Sequence, residues 1–340
     1  MRRALALLLA LLALQFPAFG TSEEDVELSM ADFHLSPYVS ILAPGTNRSY
    51  DGGTALGVSA SGQNVQYIEV SLALADETQT FHTSGSTLEH TFTFAPQTQG
   101  ALLTVRGYAS EAPTADTPCD EQTLVILSPK EELIEKMIAL AYANSKDEKY
   151  KFAPAEPGTA LGVCKMFVMR LFDTYSGGYR MQAYPDLPLH MPVNKSKKAS
   201  APYDYGIEWK FETAEEGSPF EIAAQYKYDS SLSKEENTAA CRNVVRQIRK
   251  GDFFQMVANY GGGNGPHSMF MIADYDPQTD MLHWTDSNMR GTRVNGVRWG
   301  YLQWDADATA EWFVDCILKT SWTRRGCTVY RLRDDLIQYE

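Results

Sequence analysis

The sequence predicts an α+β protein in which a β-sandwich over residues 36–128 precedes a mixed α+β domain over residues 129–340. Between residues 36 and 128, short runs alternate apolar and polar residues with a period of two, and turn residues separate them. At Ser128-Pro129 the apolar spacing becomes helical, and strand-like runs follow the later helices. The length also fits roughly two domains of about 150 residues each.

The N-terminus reads as an export signal. Residues 1–20 combine a positive start, a short apolar run and a small-x-small end, supplied by Arg2 and Arg3, Ala4 to Leu14, and Ala18-Phe19-Gly20. The apolar run is too short to span a membrane comfortably, and no second span follows. We therefore expect a signal peptide over residues 1–20, an acidic leader over residues 21–35, and a secreted protein, extracellular or at the cell surface, without a membrane span.

The chain is acidic. Its formal net charge is −13, and removal of residues 1–20 takes away two arginines and no acidic residue, which gives −15. Nucleic-acid binding needs a basic surface to contact phosphates, so the sequence argues against a nucleic-acid partner. The acidity is instead typical of a surface that maintains solubility.

The five cysteines are an odd number for an exported protein, so at least one thiol is unpaired within the chain. Cys241 and Cys316 each share a helical face with apolar residues, which favours a place in the core. A local disulfide between Cys316 and Cys327 remains open. No C-x-x-C pair occurs and the histidines are scattered, so we predict neither a metal site nor a cofactor. The remaining cysteines are Cys119 and Cys164.

The first region contains six clear strand-like runs, at residues 38–42, 55–60, 67–72, 90–94, 102–108 and 123–127. Six or seven short strands in about ninety residues favour a β-sandwich. This segment resembles the bacterial immunoglobulin-like modules of exported proteins. The resemblance implies a domain that positions its neighbour or acts as a spacer.

Helix signals open the second region. Ser128 is an expected N-cap, Pro129 suits the first helical position, and Ser233 with Glu236 forms a capping-box pattern. The patterns predict helices after Ser128, from Cys164 to about Tyr175, and over residues 233–249 and 306–319. They predict strands over residues 252–258, 267–275, 280–286 and 327–333.

Residues 176–232 read as a long irregular segment rich in tyrosine. Loops of this length inside a domain are usually functional or disordered. Two interpretations stay open: the segment walls a cleft and contacts a peptide or glycan, or it is a surface excursion.

Cys164 and His267 are the strongest candidates for chemistry. Cys164 follows a Pro/Gly-marked loop and begins an apolar helical pattern, where unpaired amides and the helix dipole favour a thiolate. His267 follows the glycine-rich residues 261–265 and is predicted to open a strand. An imidazole there can form an ion pair with the thiolate, as nucleophilic catalysis requires. The sequence therefore predicts contact between the two side chains.

A catalytic histidine needs a partner that orients its second ring nitrogen. Asp286 is the first choice because a carboxylate best stabilises an imidazolium, and Asn288 and His283 are the alternatives. Strand alternation places Asp286 and Asn288 on one face and His283 on the other.

The order of these residues resembles the papain-like cell-wall hydrolases, the NlpC-type endopeptidases and CHAP amidases. The resemblance covers about residues 130–300 and includes Gly251-Asp252-Phe253-Phe254 before the histidine strand. It implies a papain-like α+β domain over residues 129–340, a Cys164 nucleophile and an oxyanion role for Tyr150. The family usually has Asp-Cys-Ser at the nucleophile, and this chain has Val163-Cys164-Lys165.

Two functions follow from different classes. The first is an exported cysteine hydrolase that cleaves an amide bond in a cell-wall peptide or glycopeptide, as a peptidoglycan endopeptidase or amidase. The alternative is a non-catalytic surface or adhesion protein that uses a papain-like scaffold for binding, because a fold does not determine a function.

Overall fold

The computed structural model describes residues 36–45, 48–111, 118–146, 152–154, 164–189, 219–260, 263–294, 297–320 and 325–339. The predicted signal peptide, the predicted leader and Tyr150 lie outside these residues. The described chain is a mixed α+β protein with more strand than helix, which is the predicted class. No helix in these ranges is both long enough and apolar enough to cross a membrane.

The first region forms two antiparallel sheets from seven strands. One sheet has the order β1-β2-β5 and the other has the order β4-β3-β6-β7. The strands are β1 (Tyr38–Ala43), β2 (Ala55–Gln63), β3 (Tyr67–Ala73), β4 (Thr78–Ser84), β5 (Thr87–Thr93), β6 (Ala101–Tyr108) and β7 (Asp120–Ile126). β4 was not predicted, because it is a mostly polar edge strand without a buried face.

Both sheets contribute to one hydrophobic core. Every second side chain is buried along β3 and along β2 as far as Ala60, as the period-two pattern predicts. Leu56 and Val58 of the first sheet belong to the same cluster as Ile68, Val70 and Leu103 of the second.

The second region is built on one seven-stranded sheet with the order β10-β15-β11-β12-β13-β14-β8, and a separate pair joins β9 to β16. The strands are β8 (Phe152–Pro154), β9 (Tyr179–Met181), β10 (Phe220–Lys227), β11 (Phe253–Tyr260), β12 (Gly263–Met271), β13 (Met281–Val294), β14 (Val297–Thr309), β15 (Gly326–Leu332) and β16 (Leu336–Gln338). The helices are α1 (Pro129–Lys146), α2 (Lys165–Asp173), α3 (Lys234–Val245) and α4 (Ala310–Leu318).

Each face of the large sheet supports its own core. One core contains α1 and α2 side chains together with Phe253 and Phe270. The other contains α3 and α4 side chains together with Phe254 and Met269. Because successive strand residues point to opposite faces, neighbours on β11 and β12 enter different cores.

The helix starts agree with the sequence. Ser128 and Glu131 exchange hydrogen bonds at the start of α1. Ser233 and Glu236 form the predicted capping box at the start of α3.

The structure corrects the reading of residues 176–232 as wholly irregular. A 3-10 turn, β9 and β10 lie in this segment, while residues 190–218 are outside the described chain. β8, β14 and β16 were also not predicted. The helix expected from residue 306 starts at Ala310, because β14 continues to Thr309, whose side chain accepts a hydrogen bond from Trp312 N–H.

The hydrophobic core of the first region and the two cores of the second share no residue. The described residues from Pro37 onward nevertheless form one compact unit. Independent folding of two domains, with a boundary near residues 128–130, therefore stays a prediction.

Candidate active site

Cys164 is the N-cap residue of α2 and has an unusual backbone conformation. Its φ is 51° and its ψ is −112°, a combination that L-residues with a Cβ rarely adopt. The Cys164 N–H donates to the Ser287 carbonyl of β13 at 2.6 Å. This bond docks the start of the helix on the sheet and helps to hold the strained geometry.

His267 lies inside β12, four residues after its start, and not at the strand opening as predicted. The glycine-rich residues before it are part of the strand, because β11 pairs with them from Ala258↔Gly265 to Tyr260↔Gly263. The His267 side chain is almost fully buried. Its ring is therefore fixed by a paired strand, and residues 263–265 of the glycine-rich segment are strand, where the sequence indicated a loop.

The predicted contact between the thiol and the imidazole is confirmed. Cys164 Sγ lies 3.0 Å from His267 Nδ1. Since the Ser287 carbonyl accepts the Cys164 N–H, the helix start lies against β13, the strand that pairs with β12.

Asp286 contacts the second ring nitrogen of His267. Its Oδ2 lies 2.7 Å from His267 Nε2, and the Asp286 side chain is fully buried. A carboxylate needs a donor, so Nε2 carries the proton and Nδ1 faces the thiol. The Trp284 indole N–H donates to the same Oδ2 at 3.1 Å. Asp286 is thus held by the imidazole and by an indole of its own strand.

The alternative third residues occupy other positions. His283 Nδ1 pairs with Asp305 Oδ1 at 2.8 Å, and its side chain is 39% exposed. Asn288 is half-buried and lies opposite Tyr301 of β14. Of the three candidates, Asp286 is the residue whose contact with His267 is seen.

The pKa of His267 is raised from 6.5 to about 10. Burial alone lowers the pKa, because it penalises the charged ring. The negative charge of the Cys164 thiolate and the hydrogen bond to Asp286 outweigh that penalty. Contact with Cys164 and with Asp286 therefore favours the protonated form of the His267 ring.

The Cys164 N–H donates to the Ser287 carbonyl, so it is not one of the unpaired helix-start amides that the sequence predicts beside the thiol. The next amides of α2, at Lys165 and Met166, have no acceptor within the helix, because they lie in its first turn. Donors for a developing oxyanion would therefore come from these positions.

Trp284 and Ser287 were not predicted as parts of the site. Trp284 had a signal, since it lies two residues before Asp286 on the predicted same face. Ser287 had none, because its contribution is a backbone carbonyl that any residue would supply. Among the described residues, no three His, Cys, Asp or Glu side chains are grouped to hold a metal ion.

No protein-family model matches this chain, and no curated protein is similar enough to match it.

Proposed function

We propose that this chain is an exported cysteine hydrolase that cleaves an amide bond, with a cell-wall peptide or glycopeptide as its substrate. The single observation that supports hydrolysis is the continuous line of contacts from Cys164 Sγ through the His267 ring to Asp286 Oδ2. In this line Cys164 is the nucleophile, His267 carries the proton, and Asp286 orients the His267 ring.

In the first half of the reaction, Cys164 Sγ attacks the carbonyl carbon and the π electrons move to the oxygen. Amides in the first turn of α2 stabilise the oxyanion. When the tetrahedral species collapses, the carbon–nitrogen bond breaks and His267 gives its Nδ1 proton to the leaving amine. A thioester and neutral His267 remain.

In the second half, His267 Nδ1 takes a proton from water, and the hydroxide oxygen attacks the thioester carbonyl. Collapse breaks the carbon–sulfur bond, releases a carboxylic acid and restores the thiolate–imidazolium pair. Asp286 keeps its bond to Nε2–H throughout, so the ring retains one tautomer and one orientation.

The assignment of the two regions to an immunoglobulin-like domain and a papain-like domain is part of the same proposal. A cysteine at a helix start, packed on an antiparallel sheet whose neighbouring strands carry a histidine and an aspartate, resembles the papain-like arrangement. The two sheets of the first region, with their shared core, resemble an immunoglobulin-like sandwich that acts as a spacer. The cell-wall substrate follows from the resemblance to the NlpC and CHAP hydrolases.

The proposal is tested by incubating the mature protein with peptidoglycan fragments and reading the products by mass spectrometry. We expect one new amine and one new carboxylate per cut, and no product from Cys164→Ala. Cys119→Ala is the matched control, because Cys119 is an exposed free thiol in the first region whose S–H donates a hydrogen bond to the Gly107 carbonyl. It should cleave at the wild-type rate.

Alkylation by iodoacetamide near neutral pH separates catalysis from binding. A thiolate held by an imidazolium reacts faster than an ordinary thiol, so Cys164 should be modified before Cys119 although it is less exposed. Fast alkylation of Cys164 without cleavage of wall fragments would support a hydrolase but contradict the proposed cell-wall substrate. Slower alkylation of Cys164 than of Cys119 would favour the non-catalytic surface protein.

A further inference from the structure

Two further cysteines meet in the core on the α3/α4 face of the large sheet. Cys241 of α3 and Cys327 of β15 are both fully buried, and both belong to the same hydrophobic cluster. Their side chains are hydrogen-bonded to each other. Neither thiol contributes to the Cys164 site.

Contacts that do not involve the thiols hold α3 against the paired strands β10 and β15. The Tyr226 hydroxyl donates to Asn237 Oδ1 at 2.8 Å, which ties α3 to β10. Cys241 lies four residues after Asn237, one turn further on the same helix face. Cys327 is the direct register partner of Tyr226 on β15. The helix and the strand are thus held together beside the two thiols, whose side chains are hydrogen-bonded to each other.

We propose that Cys241 and Cys327 form a disulfide in the mature protein. This pairing differs from the Cys316–Cys327 bridge that the sequence left open; Cys241, Cys316 and Cys327 are all free thiols in the structure. The proposal does not depend on catalysis by Cys164.

The oxidation is an exchange with a small-molecule or protein disulfide, such as glutathione disulfide. One cysteine thiolate attacks a sulfur of the oxidant, forms a mixed disulfide and releases one thiol of the oxidant. The second cysteine thiolate then attacks the mixed disulfide at the protein sulfur and displaces the other thiol. The protein loses two protons and two electrons, and the oxidant gains both.

Burial determines when this exchange occurs. Both sulfur atoms are inaccessible in the folded chain, and burial raises the pKa of the Cys327 thiol, which disfavours the reactive thiolate. The bond therefore forms while the chain is folding, before α3 closes over β15. Once folded, the bond is shielded from reductants that reach the partly exposed Cys164.

The experiment is to refold the full mature chain with glutathione disulfide, block free thiols in denaturant and digest it with trypsin without reduction. Cleavage after Lys234, Arg242, Arg325 and Arg331 puts the two cysteines on the short peptides 235–242 and 326–331. We expect these peptides as one linked species that reduction separates. Under the same conditions, Cys316 should be recovered alkylated on peptide 299–319.

Two results would overturn the proposal. One is recovery of peptide 326–331 only in its alkylated, unlinked form. The other is its linkage to peptide 299–319, which would establish the Cys316–Cys327 pairing instead.

Thermal unfolding gives a second readout. Reductant should lower the midpoint of the wild-type protein and of the Cys316→Ala control, which keeps the pair. It should leave the Cys241→Ala/Cys327→Ala variant unchanged. An unchanged wild-type midpoint after complete reduction would count against a stabilising bond.

Discussion

The two regions of this molecule treat buried polar groups very differently. The described residues up to Ser128 contain one buried polar side chain, that of Thr104. All the other buried polar or charged residues lie in the second region, and five of them are on β12 and β13: His267, Ser268, Thr285, Asp286 and Ser287.

This contrast shows where the fold accepts the energetic cost of burying polar groups. An unpaired polar group costs about 1–3 kcal/mol to bury, so a chain that needs only packing avoids such groups. The first region behaves in this way, as a spacer would. The second region retains polar groups beside Cys164 and supplies them with partners, such as Gln255 Nε2 for Ser268 Oγ at 3.0 Å.

The largest expected effect is at Asp286. Asp286→Asn keeps the shape of the side chain but removes the charge that supports the imidazolium, so turnover should fall by about 10²- to 10⁴-fold. Steady-state hydrolysis measures the loss, and thermal unfolding checks the fold. His283→Ala and Asn288→Ala are the controls and should stay near wild type. Loss of activity in His283→Ala with normal activity in Asp286→Asn would assign His283 as the third residue instead.

Trp284→Phe should have the next largest effect. The substitution keeps most of the buried ring but deletes the indole donor to Asp286, and a hydrogen bond to a charged group contributes about 1.5–3 kcal/mol. Denaturant unfolding should show this loss together with a smaller fall in turnover than Asp286→Asn causes. Trp312→Phe is the matched control, because Trp312 stacks on Trp284 and is 37% exposed. Equal losses in both variants would assign Trp284 to packing alone.

Histidine titration compares the two regions directly. Burial lowers the pKa of His90, which stacks on Phe81 at 3.9 Å between ring centroids, whereas the pKa of His267 is raised to about 10. The stability contributed by His267 is therefore complete below pH 6.5 and is lost as pH rises from there through about 10. For His90 the loss occurs as pH falls below 6.5.

Imidazole NMR shifts followed against pH should show these opposite displacements. His267→Asn and His90→Gln assign the two signals. Cys164→Ala should lower the pKa of His267, because the thiolate charge is gone. If the pKa values of His267 and His90 shift in the same direction from 6.5, the predicted electrostatic difference between the two regions is wrong.

A smaller effect is expected from the backbone of Cys164. Glycine at this position relieves backbone strain that costs of order 1–3 kcal/mol. Its greater freedom in the unfolded chain lowers the free energy of unfolding by about 0.5–1 kcal/mol, which offsets part of that gain. Cys164→Gly should therefore be about 1 kcal/mol more stable than Cys164→Ala in denaturant unfolding. Asn64, at φ 57° in the first region, is the comparison: asparagine tolerates positive φ, so Asn64→Gly should stay near wild type. No gain of Cys164→Gly over Cys164→Ala would argue against backbone strain at Cys164.

The smallest effect on the site is expected from separating the regions. Limited proteolysis should release a stable C-terminal fragment that begins near residues 128–130 and retains hydrolysis, since its cores contain no residue from the first region. Mass spectrometry and the peptidoglycan assay follow the fragment. If cleavage near this boundary unfolds both halves, the molecule is one folding unit.

Much of the fold was accessible from local patterns. Alternation located six of the seven strands in the first region, and capping residues located the starts of α1 and α3. β14 was missed because its polar and aromatic residues gain their order from pairing with β13 over long range. β10 was missed because the tyrosine-rich segment around it reads as loop, and its partner β15 is about a hundred residues away.

The site was predicted as a set of side chains, and its backbone was not. Cys164, His267 and Asp286 carry chemical types that nucleophilic catalysis requires, so composition and order indicated them. The bond from Cys164 N–H to Ser287 is independent of side-chain type, and the pairing of Gly263 with Tyr260 contradicts the usual meaning of a glycine run. Neither feature has a signature in a single sequence.

The bond from β13 to the start of α2 also bears on how such a chain can change length during evolution. Ser287 anchors Cys164 through its carbonyl, and the preceding residue, Asp286, holds the His267 ring through its side chain. One peptide unit thus sets the spacing of both halves of the site. Insertions between α2 and β10 leave this spacing intact, whereas a single deletion within β13 before Asp286 shifts both anchors at once. Tolerance to insertion and deletion should therefore be lowest in this strand.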